Sequence, residues 1–336
     1  MREYLELVLD GKDLTRAESE AVFGSIVEGE IDPVRVSALL AALRTKGEHP
    51  DEIAGAAKAL RDSALPFERP AYAYADLCGT GGDRAGTLNI STAASVVAAQ
   101  MGIPVAKHGN RSVSSRCGSA DVLEILGVDL EADPAVSRRC LDETGLCFLL
   151  GPKYHAGMRH AMPVRRALET RTVMNVLGPL VNPAAPPFQV MGVYDPDLCV
   201  PIAFALGSLG CEAALVVHGS GLDEIAVHGP TVAALYRGGA VLEMDLTPEE
   251  AGVDRFPLEA IAGGAPAYNA EALVEILEGN GAPGQAAAVA INAGALAWIF
   301  GAAPDIREGT RLAMEALEGG ECAARLMRMA RVSHGA

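Results

Sequence analysis

The chain has 336 residues, half of them hydrophobic and 21% charged, which is enough for a large buried core and excludes a disordered tail or a small disulfide-stapled domain. Its 27 lysines and arginines are outnumbered by 43 acidic residues, for a formal net charge of −16. So acidic a chain repels polyanions, which argues against a general nucleic-acid binder or a protein of anionic membranes. Any anionic ligand must therefore be bound by local cationic groups and backbone amides.

The cysteines and the N-terminal residues indicate a reducing compartment, and the longest apolar stretch indicates a core helix. The seven cysteines are scattered, odd in number and never form a C-x-x-C pair, which indicates reduced thiols and no structural zinc. Glu3 and Glu6 stand where a signal peptide would carry bases, so we expect a cytoplasmic protein. The longest apolar stretch, Ala286 to Phe300, is interrupted by Asn292 and is shorter than the roughly 20 residues of a bilayer span. It predicts a buried core helix.

The first 65 residues are predicted to form helices. Thr15 and Glu18 have capping-box spacing ahead of one helix, and Asp32-Pro33 is typical of an N-cap followed by proline at the first helical position. A third helix is expected from Pro50 to about Leu65. We therefore predict a small all-helical domain over residues 1–70.

From residue 71 onward short apolar strands alternate with helices, which predicts an α/β domain over residues 71–336 with a largely parallel central sheet. The strand candidates are 74–78, 104–107, 146–150, 189–194 and 213–218. The stretch from about 160 to 183 is helical and then proline-rich, without a strand signal, so we expect it to leave the sheet and join the N-terminal helices. The last 35 residues predict a helical pair broken at Gly319-Gly320.

A glycine-rich turn follows the first strand. Gly79-Thr80-Gly81-Gly82-Asp83 and Gly86-Thr87 precede a helix that opens at Asn89-Ile90-Ser91-Thr92. Such glycines bring backbone N–H groups close to a ligand, and the hydroxyls and positive dipole end of the next helix also attract anions. The pattern predicts a phosphate-binding turn that is neither a dinucleotide fingerprint nor a P-loop. A purely structural turn is the alternative.

A basic segment without acids follows the second strand. It reads Lys107-His108-Gly109-Asn110-Arg111-Ser112-Val113-Ser114-Ser115-Arg116 and predicts a second anion cradle, with a solvated loop as the alternative. Ser119, near the start of the next helix, is expected either to cap that helix or to contact a phosphate. His108 has the chemistry of a general base, but a histidine in an anion-binding loop more often donates a hydrogen bond.

Two further positions carry chemistry. Asp223-Glu224 follows the strand 213–218 and a Gly-Ser-Gly turn, and adjacent carboxylates there suit Mg²⁺ bound to substrate phosphates, with a solvated acidic turn as the alternative. Arg165 lies in the helical stretch after His155 and is suited to clamp a carboxylate, with an exposed helix charge as the alternative. No Ser/His/Asp order, reactive-cysteine context or H-E-x-x-H motif is present.

Taken together these stretches closely resemble the anthranilate phosphoribosyltransferase family. The likeness covers nearly the whole chain and is carried by Lys46-Gly47-Glu48, residues 52–56, Gly79 to Asp83, Asn89 to Thr92, Lys107 to Ser115, Cys117 to Asp121, Gly178 to Pro183, Gly221 to Glu224 and the helix around Asn292. The run from Lys107 to Ser115 is highly specific, whereas the glycine-rich turn is shared with pyrimidine-nucleoside phosphorylases.

The resemblance implies transfer of the phosphoribosyl group of 5-phosphoribosyl 1-diphosphate to the amino group of anthranilate, in tryptophan biosynthesis, with Mg²⁺ as cofactor and no general base. It implies donor contacts from Gly79, Gly82, Asp83, Thr87, Asn89, Ile90, Ser91, Thr92, Lys107, His108, Gly109, Asn110, Arg111, Ser112, Val113, Ser114, Ser115 and Ser119. It implies anthranilate contacts from Gly79, Asn110 and Arg165, and metal contacts from Ser91, Asp223 and Glu224. A homodimer formed by the helical domain, with the active site between the domains, is also implied.

The sequence departs from the family pattern on the acceptor side. Ala156-Gly157 stands where Pro-Ala is usual, Met174 where phenylalanine is common, and Glu169 where glycine is frequent. Two alternatives stay open from the residues: a pyrimidine-nucleoside phosphorylase, disfavoured by Asp223-Glu224 and by Asn110 with Arg165, and a non-catalytic paralogue that binds nucleic acid, disfavoured by the acid excess.

Overall fold

The computed structural model describes residues 1–112 and 116–335. The N-terminal part folds into four helices, α1 (Arg2–Leu9), α2 (Arg16–Glu28), α3 (Pro33–Lys46) and α4 (Pro50–Asp62). The predicted capping box is confirmed, because Glu18 N donates to Thr15 Oγ1 at 3.3 Å and Thr15 N donates to Glu18 Oε2 at 2.8 Å. Asp32 accepts a hydrogen bond from Val34 N at 2.9 Å and caps α3 as predicted.

Seven strands form one sheet in the order β3-β2-β1-β4-β5-β6-β7. They are β1 (Ala75–Gly79), β2 (Val105–Gly109), β3 (Leu146–Leu150), β4 (Phe188–Gly192), β5 (Ala213–Gly219), β6 (Thr231–Arg237) and β7 (Ala240–Leu246). Strands β1 to β5 are parallel and lie close to their expected positions, so the predicted α/β fold with a largely parallel sheet is confirmed.

Two details differ from the sequence-based expectation. The antiparallel pair β6 and β7 was not predicted, although Gly238 and Gly239, with φ of 61° and 87°, form the two-residue turn typical of a hairpin. Helix α4 ends at Asp62, with Ser63 as its C-cap, rather than near Leu65. Leu65 itself precedes Pro66 and is restrained from helical dihedral angles, so the helix must end before it.

The glycine-rich turn lies where the strand order reverses. Strands β2 and β3 extend the sheet on one side of β1, and β4 and β5 extend it on the other. Gly79 at the end of β1 pairs with Gly192 at the end of β4. Open α/β sheets bind ligands in the crevice at such a switch point. The topology therefore places this turn at the expected ligand site.

The remaining helices cover both faces of the sheet. They are α5 (Ile90–Gln100), α6 (Ser119–Ile125), α7 (Pro134–Thr144), α8 (Gly151–Tyr154), α9 (Met162–Leu168), α10 (Leu177–Leu180), α11 (Cys199–Ser208), α12 (Pro266–Leu277), α13 (Pro283–Phe300), α14 (Ile306–Glu318) and α15 (Cys322–Ser333). Helix α13 is long and apolar enough to cross a membrane by length and composition, but 72% of its apolar window is buried inside the protein, as predicted for a core helix. The C-terminal pair α14 and α15 is confirmed.

Two hydrophobic cores lie on opposite sides of the sheet. One contains α5, α13 and the C-terminal helices. The other joins the four N-terminal helices to α11 and to the stretch after residue 160, where Ala161, Val164 and Met174 are buried. The stretch 160–183 thus packs against the helical bundle while its proline-rich end returns to the sheet.

Candidate active site

A cleft of about 310 Å³ opens at the carboxyl ends of the central strands. Its walls come from the glycine-rich turn, the start of α5, the end of β2, the stretch around α9 and α10, and the loop after β5. Of the site residues predicted from the sequence, those that line it are Gly79, Gly82, Asp83, Thr87, Asn89, Ser91, Thr92, Lys107, His108, Gly109, Asn110, Arg111, Ser112, Ser119, Arg165, Asp223 and Glu224. The predicted residues Val113, Ser114 and Ser115 lie outside the described residues.

The glycine-rich turn is held at several points. Thr80 N donates to Gly192 O at 2.9 Å, and Gly81 N donates to the Asp223 carboxylate at 2.6 Å. Gly81 and Gly82 have φ of 66° and 82°, which only glycine adopts without strain. A Cβ on Gly79 would overlap the Asp223 carboxylate, so glycine there lets that carboxylate come close to the turn.

The N-terminal turn of α5 adds polar groups to the cleft. Ser91 N donates to Glu224 Oε1 at 3.2 Å, and the buried Thr92 hydroxyl has no hydrogen-bond partner among the described residues. The Ile90 side chain is 2% exposed, belongs to the core on the other side of the helix and does not line the cleft. Helical periodicity separates it from its two polar neighbours.

The basic segment begins inside the sheet rather than in a solvated loop. Strand β2 continues through Lys107 and His108 to Gly109, beyond its expected end. Lys107 is 3% exposed, and its Nζ donates to Leu77 O at 2.6 Å and lies 3.4 Å from Ser91 Oγ. Its charge is therefore buried beneath the cleft, where it attracts the Glu224 carboxylate.

His108 donates a hydrogen bond, as expected, but to a backbone carbonyl of the protein. Its Nδ1 lies 3.1 Å from Gly178 O, and because a carbonyl only accepts, Nδ1 carries the proton and Nε2 is a lone-pair acceptor. Burial lowers the pKa of His108 to about 3, with a contribution from His155, whose ring centre is 5.2 Å away. The neutral imidazole adds no positive charge for an anion.

Asp223 and Glu224 face the cleft and not bulk solvent. Burial raises the pKa of both carboxyls, and each is raised further by a neighbouring carboxylate, Asp83 for Asp223 and Asp223 for Glu224. The second oxygen of Glu224 accepts no hydrogen bond from the described residues. Closely spaced, destabilised carboxylates of this kind are suited to bind a divalent cation.

The donor set fits magnesium. The two carboxylates and the Ser91 hydroxyl offer hard oxygen ligands. In the described parts of the chain no cluster of three or more His, Cys, Asp or Glu side chains could hold a metal ion by itself, so the protein supplies at most part of a coordination shell here. Mg²⁺ typically takes one or two protein carboxylates and completes its shell with water and substrate phosphate oxygens. The open side of the pair toward the cleft leaves room for such oxygens.

Asn110 and Arg165 form another part of the cleft wall. Asn110 Oδ1 accepts a hydrogen bond from Arg111 N at 2.8 Å, which leaves the amide nitrogen of Asn110 available to a ligand. Arg165 on α9 is half-buried, and the guanidinium makes no hydrogen bond or ion pair with the described residues. Burial lowers the pKa of Arg165, as expected for a cation that lacks a counter-ion. The alternative of an ordinary exposed helix charge does not describe it.

The segment after Asn110 is anchored to α6. Arg111 forms two hydrogen bonds of 2.7 Å with Glu124, and Asp121 accepts from Ser112 N at 3.0 Å and from Gly118 N at 2.9 Å. The N-cap of α6 is Gly118, so Ser119 is not the capping residue. Its hydroxyl lies 3.4 Å from Asn110 O, at the cleft wall.

Three residues near the cleft were missed from the sequence. Asn269 on α12 is 1% exposed and donates to Asn89 Oδ1 at 2.9 Å. His218 Nδ1 donates to Val193 O at 2.8 Å while its Nε2 accepts from Gly221 N at 3.2 Å, which orders the turn before Asp223. Arg171 contacts Gly82 O. The sequence signals for these residues are weak. Asn269 is a lone polar residue in an apolar helix, and His218 is a histidine beside a glycine turn.

The structure gives physical reasons for two departures from the family pattern. Glu169 ends α9 with φ of 46°, a left-handed conformation in which glycine is the relaxed residue. A Cβ on Gly157 would lie 2.9 Å from Val27 O, so the short helical turn at 156–160 packs closely on the end of α2. Met174 is buried and lines the cleft.

The helical bundle beside an α/β domain, with a glycine-rich turn at the switch point and a carboxylate pair in contact with it, is the architecture of a class of glycosyl transferases. Residues 2–64 match the helical bundle domain of the glycosyl transferase family, and residues 71–323 match its a/b domain.

Similar proteins narrow this class. The chain is 58% identical over 333 residues to an anthranilate phosphoribosyltransferase of Sorangium cellulosum, covering 99% of this chain and 96% of that protein. The crystal structure of the Thermus thermophilus enzyme superposes with a TM-score of 0.94 at 43% identity, covering 98% and 99% of the two chains. The structure of the Saccharomyces cerevisiae anthranilate phosphoribosyltransferase in complex with PRPP and Mg superposes with a TM-score of 0.89 at 26% identity, covering 99% of this chain and 98% of that chain. The chain belongs to the anthranilate phosphoribosyltransferase family.

Proposed function

We propose that this chain transfers the phosphoribosyl group of 5-phosphoribosyl 1-diphosphate (PRPP) to the amino group of anthranilate, releasing diphosphate. One observation carries the proposal: the glycine-rich turn and the Asp223-Glu224 pair meet at one end of the cleft, and an unpaired arginine, Arg165, lines the same cleft. A diphosphate–metal complex and an aromatic carboxylate require such a pair of subsites. Family membership, and the S. cerevisiae structures with PRPP and Mg and with 4-fluoroanthranilate, support it.

On the donor side the chain supplies oriented hydrogen-bond donors. The N–H groups of Gly82 and Asp83, which donate to no described residue, and the buried Lys107 ammonium lie at the cleft, where negative charge grows on the leaving diphosphate. Such preorganised donors stabilise the transition state more than the ground state. When bound by Asp223, Glu224 and Ser91, Mg²⁺ would neutralise part of that charge and so promote departure of the leaving group.

On the acceptor side Arg165 would bind the anthranilate carboxylate, and Asn110 would hold the ring near the ribose. An arylamine attacks as the neutral amine, so a strong base is not required, and no residue is assigned as one. Catalysis then rests on positioning and on leaving-group electrostatics. We assign the predicted donor contacts to the cleft-lining residues, with Ile90 excluded.

The experiment is a fluorescence assay of anthranilate consumption with PRPP, with and without Mg²⁺. We expect loss of the anthranilate signal only when donor and metal are both present. No loss at high enzyme concentration would contradict the proposal. Consumption of a pyrimidine nucleoside and inorganic phosphate instead would identify the phosphorylase, which no feature of this cleft favours.

Replacing Arg165 with methionine is expected to raise the KM for anthranilate about 10- to 100-fold, since hydrogen bonds to charged groups contribute about 1.5–3 kcal/mol. The KM for PRPP should change less than about twofold, because the donor subsite is untouched. Arg166→Met is the matched control, as Arg166 is exposed on the same helix and does not line the cleft. Equal increases in both KM values would remove the acceptor assignment.

We take the helical domain as residues 1–70 with the stretch 160–183, and the α/β domain as residues 71–336. The proposed assembly is a homodimer formed through the helical domain. Leu9 and Val34 in this domain are 67% and 75% exposed, which supports an apolar contact there. We expect sedimentation to give twice the chain mass, and Val34→Asp to shift it toward the monomer. Leu242 is exposed on the edge strand β7, so Leu242→Asp is the control and should leave the mass of the assembly in solution unchanged.

We place the enzyme in the cytoplasm. The seven cysteine side chains are buried and form no disulfide among the described residues, and burial raises the pKa of, for example, Cys117 to about 11. Such thiols are poorly reactive and persist in a reducing compartment.

A further inference from the structure

Arg171 connects three parts of the molecule around the glycine-rich turn. Its Nη2 donates to Gly82 O, and its guanidinium lies over the Tyr194 ring, 3.9 Å from the ring centre. The backbone carbonyl of Arg171 accepts a hydrogen bond from Arg44 on α3. One residue thus joins the helical bundle, the end of β4 and the turn.

The contact with Gly82 O fixes the direction of the next N–H group. In a trans peptide the carbonyl and the following N–H point in opposite directions. Because Gly82 O is directed at Arg171, the N–H of Asp83 points to the opposite side. No described residue accepts a hydrogen bond from Asp83 N, and both Gly82 and Asp83 line the cleft.

Apart from the Arg171 contact, neither the carbonyl nor the N–H of the Gly82-Asp83 peptide has a partner among the described residues, and Asp83 is held only through its side chain, which accepts from Ala85 N at 3.3 Å. The turn is fixed upstream through Thr80 N and Gly81 N, and downstream by the hydrogen bond of 2.8 Å from Gly263 N to Gly86 O. Glycine has access to both signs of φ, so a peptide next to Gly82 rotates at low energetic cost unless it is held. A rotated peptide would present a carbonyl oxygen, which repels an anion.

We propose that Arg171 is a positioning residue that holds the Gly82-Asp83 peptide with its N–H directed at the diphosphate of the donor. The identity of that ligand rests on the proposed function. Stacking on Tyr194 holds the planar guanidinium in place, and a lysine cannot reproduce both contacts. The bond from Arg44 ties this peptide to the helical bundle.

The test measures binding of inorganic diphosphate in the presence of Mg²⁺ by calorimetry, together with steady-state kinetics. Arg171→Met keeps an apolar stem against Tyr194 but removes the donor. We expect diphosphate binding to weaken about 10-fold or more and the KM for PRPP to rise similarly, because an oriented hydrogen bond to a charged group is lost. The KM for anthranilate should stay within about twofold. Arg171→Lys should recover only part of the loss.

Arg166→Met removes the same charge from an exposed position and should bind diphosphate like the wild type. Equal weakening in Arg166→Met and Arg171→Met would show that net charge is responsible and would overturn the inference. The inference would also be overturned if Arg171→Met bound diphosphate as tightly as the wild type. If Arg171→Met does not fold, wild-type affinity of Arg171→Lys for diphosphate would have the same meaning. Failure of the wild type itself to bind diphosphate would instead contradict the proposed function.

Discussion

Replacing Asp223 with asparagine and Glu224 with glutamine together should lower kcat by about 10³-fold or more, since a bound metal supplies several kcal/mol of transition-state stabilisation and about 1.4 kcal/mol is tenfold. The expected loss cannot be recovered by adding Mg²⁺, because the ligands that hold it are gone. Assaying anthranilate consumption across a Mg²⁺ titration measures it. Wild-type turnover in the double variant would contradict the metal assignment.

The same substitutions should not weaken the fold. The two carboxylates are held close to each other and to Asp83, away from bulk water, and both have raised pKa values. Neutral isosteres remove this repulsion, so the thermal midpoint of the metal-free variant should equal or exceed that of the wild type. Glu243→Gln with Asp245→Asn is the control, because both acids are exposed on β7. That control should change neither kcat nor stability.

The raised pKa values also set the direction of the pH dependence. A carboxyl whose pKa is higher in the folded than in the unfolded state binds more protons when folded, so its contribution destabilises the fold as pH rises. For the metal-free wild type, stability relative to the double variant should therefore fall from about pH 4, the ordinary range of these groups, toward neutrality. Denaturation of both proteins across that range, without Mg²⁺, measures the difference. A difference that grows with pH in favour of the wild type would contradict the raised values.

The features that local sequence could predict are those formed by adjacent residues. The glycine-rich turn, the acidic pair after β5 and the capping box of α2 each lie within a few positions, and all were predicted. Parallel strands were predictable because their apolar runs are short and alternate with helices. The hairpin of β6 and β7 could not be predicted, because most of β7 is exposed and the alternation of apolar and polar residues along this strand is weak.

The features that could not be predicted depend on distant pairs. Arg171 and Gly82 are 89 residues apart, and Asn269 and Asn89 are 180 apart, so no local pattern records either contact. The tautomer of His108 is set by the Gly178 carbonyl, 70 residues away. Ile90 is predicted in the site because it is adjacent to Ser91 and Thr92, which line the cleft, whereas the helix turns the Ile90 side chain to the core.

The second large effect concerns stability. Lys46→Met is expected to destabilise the protein by about 3–5 kcal/mol, the usual cost of leaving a buried charge without its partner. Glu52 is 1% exposed, and its carboxylate accepts from Lys46 Nζ at 2.9 Å, Leu14 N at 2.9 Å and His49 N at 2.8 Å. This carboxylate ties the loop between α1 and α2 to the start of α4. Without the lysine it remains buried and charged, with only two backbone donors.

Chemical denaturation measures the change in the free energy of unfolding. Lys12→Met is the matched control, because Lys12 and Asp10 are 64% and 68% exposed at 3.7 Å, and an exposed pair contributes less than about 1 kcal/mol. Adding Glu52→Gln to Lys46→Met should recover part of the loss, since the neutral amide no longer needs a counter-ion. If the added substitution recovers nothing, the lysine acts through the packing of its stem rather than through its charge.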